Sequence, residues 1–157
     1  MNREVSQKIE QFEEVARRYC NWVEHEAELP IDLIAARTLF AELQLAAIAL
    51  PEMKRGDYHG IPKPDRKLRE GVLKRASTVP FRYYWDTFDP MKQNEEPSCS
   101  DLADDLADIW LDLWTGLQLF DAGYPTDANF HWRLLYDSHW GQHLLSAQRA
   151  IYAFVTK

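Results

Sequence analysis

The chain has 157 residues, 46% of them hydrophobic and 13% aromatic, which is enough to bury one core and places it within the size of a single domain spanning 1–157. Its net charge of −7 is uneven: residues 1–79 carry 13 basic and 13 acidic side chains, and residues 80–157 carry 5 and 12. That balance argues against nucleic acid as a partner, and the lack of an apolar leader or of a run near the ~20 residues a membrane span needs argues for a soluble, cytoplasmic protein with no membrane partner. Cys20 and Cys99 stand far apart without metal-type spacing and read as free thiols.

Eight prolines divide the chain into helical stretches. Over residues 2–27, Val5, Ile9, Phe12, Ala16, Tyr19 and Val23 recur every three or four positions and predict an amphipathic first helix. A second helix over 31–49 is apolar nearly all round, through Leu33, Ile34, Leu39, Phe40, Leu43, Leu45 and Ile48, and is expected to lie deepest in the core. Residues 51–64 make a loop, after which Asp65 caps a short basic helix reaching about Ser77. The basic excess of Lys54 to Arg75, eight cations against three acids, reads as an answer to the acidic stretch that follows.

Phe81 to Pro90 is dense in aromatics and reads as a packed connector. A fourth helix starts after Ser98 or Ser100 and ends at about Ala122, before Gly123 and Pro125. A fifth starts near Thr126 and continues almost to the C-terminus. The expected fold class is therefore all-α, about five helices in an up-and-down bundle whose last two form an antiparallel hairpin.

On the fourth helix, Leu102, Leu106, Ile109, Leu113, Leu117 and Phe120 define the core stripe. Asp101, Asp105, Asp108 and Asp112 form a second stripe about 110° round from it, at the flank of the core. Four aspartates in one row repel each other and are weak helix formers, so they need arginine, histidine or a cation beside them. Asp104 lies further round and reads as solvated.

On the fifth helix, an uninterrupted α period puts His139 and His143 on the buried stripe with Trp132, Tyr136, Ala147, Ala150 and Phe154, and Trp140 falls between the two histidines. Antiparallel pairing brings 139 level with 109 and 143 level with 105, within a turn, so histidines and aspartates meet. Three outcomes fit that meeting. One is a buried polar network of Asp101, Asp105, Asp108, Asp112, His139, Trp140 and His143 that fixes helix register. Another is a divalent-metal site using His139, His143, Asp105 and Asp108, with ligands suited to Zn, Fe, Ni or Mn. The third is metal-free acid–base chemistry by a His–Asp pair. His25, His59 and His131 read as ordinary histidines, and Gly141 as a close-packing point. No phosphate loop, nucleophile elbow or Cys-x-x-Cys pair is present.

The run Ser100 to Leu117, followed by Phe130-His-Trp132 and His139-Trp-Gly-Gln-His143, together with Phe88-Asp-Pro90 and Ala49-Leu-Pro-Glu52, resembles the family catalogued as domain of unknown function 5063. The resemblance implies a small all-helical bacterial domain with no assigned activity. A looser similarity is to DinB-like metal-binding bundles, which pair His-x-x-x-His with a histidine from another helix; here a Gln precedes the second histidine. The expectation taken forward is a non-catalytic, cofactor-free protein-binding or regulatory module acting through its acidic surface, with a metal-dependent hydrolase or metal-binding bundle as the alternative.

Overall fold

Helix α1 (Arg3–Glu24) opens on Asn2, whose Oδ1 accepts from the Val5 amide at 2.9 Å, and it buries Ile9, Phe12, Ala16, Tyr19 and Val23 on the expected stripe. The computed structural model describes residues 1–25 and 30–157; the expected helix end at Ala27 lies outside them. Helix α2 (Leu33–Ile48) is capped by Asp32, which accepts from the Ile34 and Ala35 amides. It is not the innermost element. Its inner face holds Leu33, Ala36, Phe40, Leu43 and Ala47, while Ile34, Leu45 and Ile48 on the other side are 69%, 73% and 61% exposed.

Helix α3 (Arg66–Ala76) begins as expected at Asp65, whose Oδ1 accepts from the Leu68 amide at 2.7 Å. The fold is mostly helical, as expected, and the next segment adds a small sheet that the expectation lacked. β1 (Tyr83–Asp86) and β2 (Ser98–Asp101) form an antiparallel two-stranded sheet in which Tyr83 faces Asp101 and Trp85 faces Cys99. The aromatic run suits a strand, and its alternation turns Tyr84 and Asp86 inward and Tyr83 and Trp85 outward. Ser98 and Ser100 therefore lie in β2, and Asp101 is the residue that caps the next helix, accepting from the Ala103 amide at 2.9 Å.

Helix α4 (Leu102–Asp121) is the central rod, with twelve buried residues and α1, α3, α5 and α6 packed around it. It ends where expected. Gly123 sits at φ 89°, its amide reaching the Phe120 carbonyl and the Tyr124 amide the Leu119 carbonyl, a closure that favours glycine at the left-handed position. Gly116 lets the Trp132 indole lie against the α4 backbone, where a Cβ would fall 2.0 Å from its Nε1.

The last long segment is two α-helices joined by a π-helical turn: α5 (Pro125–Leu135), the turn Tyr136–Trp140, and α6 (Gly141–Val155). Trp132 and Trp140 both lie in the core against Phe12, at ring separations of 4.8 and 6.0 Å. On an uninterrupted α-helix these two residues would sit about 80° apart, and the extra residue accommodated by a π turn removes that offset. Gly141 makes the turn possible, because a Cβ there would be 2.1 Å from the Tyr136 carbonyl oxygen. Among the described residues no helix is long and apolar enough to cross a membrane.

Candidate metal centre

The aspartates of α4 meet the histidines that end the π turn and enter α6. His139 Nδ1 lies 2.6 Å from Asp112 Oδ2, and His143 Nδ1 lies 2.8 Å from Asp105 Oδ1. Rising histidine numbers against falling aspartate numbers show that α4 and α6 run antiparallel, with 143 level with 105 as expected and 139 one turn from its expected level. The histidines are not on the buried stripe, however. That stripe is Trp140, Leu144, Ala147 and Ile151, displaced by the π turn, and it leaves the His139 and His143 side chains at its flank, 44% and 29% exposed.

The partner of each Nδ1 is a buried carboxylate. Asp105 and Asp112 are only 5% and 7% exposed, and an ionised carboxylate can only accept, so each imidazole donates from Nδ1 and keeps Nε2 for another partner. Asp105 has both oxygens engaged: the Tyr84 hydroxyl donates to Oδ2 at 2.5 Å. The bond to Asp105 raises the proton affinity of His143 above that of an ordinary histidine, against the opposing effect of burial. Burial pushes the Asp112 carboxyl upward, and the hydrogen bond from His139 works against it.

His143 Nε2 is 3.5 Å from Asp108 Oδ2, and the ligating atoms of Asp108, His139 and His143 all lie within 4.8 Å of one another. Ligands about 2.1 Å from one ion are themselves about 3–3.5 Å apart, so small side-chain rotations would close these three around a cation. The two rings stand edge to face, centroids 4.9 Å apart, above a cleft of about 250 Å³ bordered by Tyr84, Ser100, Ser138 and Ser146.

Of the remaining residues singled out in the sequence, Asp101 lies at the far end of the row, where it accepts from Arg82 Nε at 2.8 Å as well as capping α4. Trp140 belongs to the core and not to the polar group: it is fully buried and its indole donates to the Trp132 carbonyl at 3.0 Å. Asp105 holds a histidine with one oxygen and accepts from Tyr84 with the other, so it backs the three-residue set. Asp104 is exposed as expected.

Three participants escape the helix-based reading. Tyr84 and Asp86 come from β1, and Asp86 accepts a hydrogen bond from Ser146 on α6. The period-two alternation of Tyr83–Asp86 is the signal that would have turned them inward. The third is His131, half-buried near Asp112, whose proton affinity is lowered by burial and whose Nε2 has no hydrogen-bond partner among the described residues.

Fold and site together define a small helical bundle with a hairpin flap and a His–Asp seam between its central and last helices. The chain belongs to the family described as domain of unknown function 5063, which matches residues 3–157. It is similar in fold to protein BF1032 from Bacteroides fragilis, a structural genomics target, with a TM-score of 0.76 at 18% identity over 92% of this chain and 90% of that one. Comparison with curated proteins gives no significant match.

Proposed function

We propose that this domain binds one divalent transition-metal ion through His139 Nε2, His143 Nε2 and the Asp108 carboxylate, as the centre of a metal-dependent hydrolase. The observation that carries the reading is the way the imidazoles are held: each has its Nδ1 on a buried carboxylate, His143 Nε2 lies 3.5 Å from a third carboxylate, Asp108, and a ligand atom of His139 falls within 4.8 Å of both. Metal-ligating histidines characteristically carry such an outer carboxylate on the ring nitrogen that does not face the ion. Two imidazoles and one carboxylate leave coordination positions for water and substrate, which is the pattern of catalytic sites. An ion there would lower the pKa of a bound water to supply hydroxide at neutral pH, and the Tyr84–Asp105 pair would keep His143 oriented while it does so.

Elemental analysis of protein purified without chelator, followed by titration of the stripped protein with Zn²⁺ and Mn²⁺, tests this. One equivalent is expected for the native chain, with loss in His139→Ala and Asp108→Asn. Absence of stoichiometric metal in both measurements would overturn the reading.

A second reading, a protein-binding module, is favoured by a different observation: Tyr83, Trp85, Phe88 and Met91 on and after the hairpin are 66%, 75%, 75% and 90% exposed. Much of the aspartate row is engaged by histidines and a helix cap, so this aromatic surface is the better docking face. Capture experiments at rising salt separate the two kinds of contact, because a partner held by carboxylates is released as screening increases and one held by the rings is retained.

A further inference from the structure

Asp108 occupies the divide of α4. At about 100° per residue, Asp112 and Asp105 lie 40° and 60° to one side of it, facing the histidines, and Asp104 and Leu111 lie 40° and 60° to the other, facing α3. The second side opens into a groove of about 720 Å³ between α3 and α4. Its α4 wall presents Asp104 and Asp108, and its α3 wall presents Arg66 and Arg69, one turn apart and on one face. The floor is apolar, with Leu73, Ala107 and Leu111.

The sequence leads one to expect that these opposite charges neutralise each other directly. Among the described residues they do not: no ion pair joins the two walls, Arg66 reaches along its own helix to Glu70 at 2.6 Å, and Arg69 has no acidic partner. Helix α3 carries five cations and one acid, so the basic wall is far from balanced by its own residues. A groove with the Asp108 carboxylate on one wall, and on the other Arg69 without an acidic partner beside Arg66, whose one partner is Glu70 of its own helix, suits a ligand that is itself a multivalent anion once a cation occupies Asp108.

We propose that the α3–α4 groove is the subsite for a small organophosphate, whose phosphate bridges the ion at Asp108 to Arg66 and Arg69 while its apolar or ring portion lies on Leu73 and Leu111. The inference rests on the metal reading and adds the substrate class to it. Once an ion sits on Asp108, that carboxylate no longer opposes an anion, and the dication and the two arginines outweigh the remaining lining acids, Asp104 and Glu70, and attract the same group from both walls. Arginine suits the task because its planar fork meets two phosphate oxygens at once. Leu73, 41% exposed, gives the remainder of the ligand an apolar surface that water now covers.

The test is calorimetric titration of the full chain, loaded with Mn²⁺, using AMP and adenosine as probes. AMP is expected to bind at least about tenfold more tightly than adenosine, a difference of about 1.4 kcal/mol. The preference should vanish in Arg66→Ala/Arg69→Ala, whose side chains are exposed and whose Mn²⁺ affinity should stay within about twofold of native, and it should vanish on chelation. Equal binding of AMP and adenosine to Mn²⁺-loaded protein would overturn the phosphate subsite and leave the metal centre standing. AMP binding that survives chelation would overturn the bridging role of the ion, and a native chain that takes up no Mn²⁺ would overturn both readings together.

Discussion

Helix α4 is held on two sides by seams of opposite chemistry. Towards α1 it meets Phe12, Ala16 and Tyr19, all fully buried, and its polar contacts lie around that apolar centre: the Tyr19 hydroxyl on the Leu106 carbonyl at 2.9 Å, the Trp110 indole on Glu24 at 2.7 Å and Arg17 on Asp121 at 2.8 Å. Towards α6 it meets imidazoles with carboxylates. The apolar seam gains free energy from every buried methylene, whereas the polar one first loses hydration and regains it only through well-placed partners. A bundle built for stability alone would carry two seams of the first kind. On the metal reading proposed above, the α1 side supplies the scaffold and the α6 side holds the groups that bind the ion.

That division makes the two seams separable by mutation. Trp132→Ala removes a fully buried indole that packs on Phe12 and lies against Gly116; it should cost about 3–5 kcal/mol in urea unfolding, with metal affinity per folded molecule unchanged. Gly141→Ala sets a methyl 2.1 Å from the Tyr136 carbonyl and should cost about 1–3 kcal/mol. Because the π turn also carries His139, this variant should weaken metal binding too, which makes it the one substitution expected to move both readouts. Asp112→Asn should do the reverse of Trp132→Ala: about a 10–100-fold loss of metal affinity by titration, with little change in unfolding midpoint, since half-exposed His139 can turn to water. If Asp112→Asn lowers stability while leaving metal affinity intact, the polar seam is structural and the comparison fails.

The smallest effect is one of pH on the metal-free protein. His143 has a higher proton affinity folded than unfolded, so its pairing with Asp105 contributes stability that is fully present below the unfolded pKa of about 6.5 and is lost as pH rises through the folded value. Unfolding midpoints taken from pH 5.5 to 8.5 should show that decline in native protein and a weaker one in His143→Asn.

Much of the scaffold was legible in the residues themselves. The stripe of α1, the caps at Asp65 and after Phe120, and the meeting of 143 with 105 follow from helical geometry and short-range hydrogen bonding, which depend on few residues at a time. The hairpin was hidden because its strands are four residues each, too short for alternation to stand out against helix signals on both sides. The phase of α6 departs from the expected one for a different reason. Periodicity was carried from Trp132 through Phe154 as if every turn were alike, and the extra residue at Tyr136–Trp140 rotates everything after it, so that Trp140 enters the core and the histidines stand beside it. Gly141 was the available sign of that irregularity, since a glycine inside a helix weakens it unless backbone must come close. Apolar content likewise points to α2 as the innermost helix, but burial follows how many neighbours surround a helix, and α4 packs against α1, α3, α5 and α6.

The central claim is that each imidazole is held through Nδ1 and offers Nε2 to an ion. It is tested most directly by long-range ¹H–¹⁵N spectra of the histidine rings during titration with Zn²⁺. The account predicts that Nε2 of His139 and of His143 shift together to metal-bound values at one equivalent while both Nδ1 atoms remain protonated. Rings that keep their metal-free resonances past one equivalent, or that bind through Nδ1 and so give up Asp105 and Asp112, would contradict it.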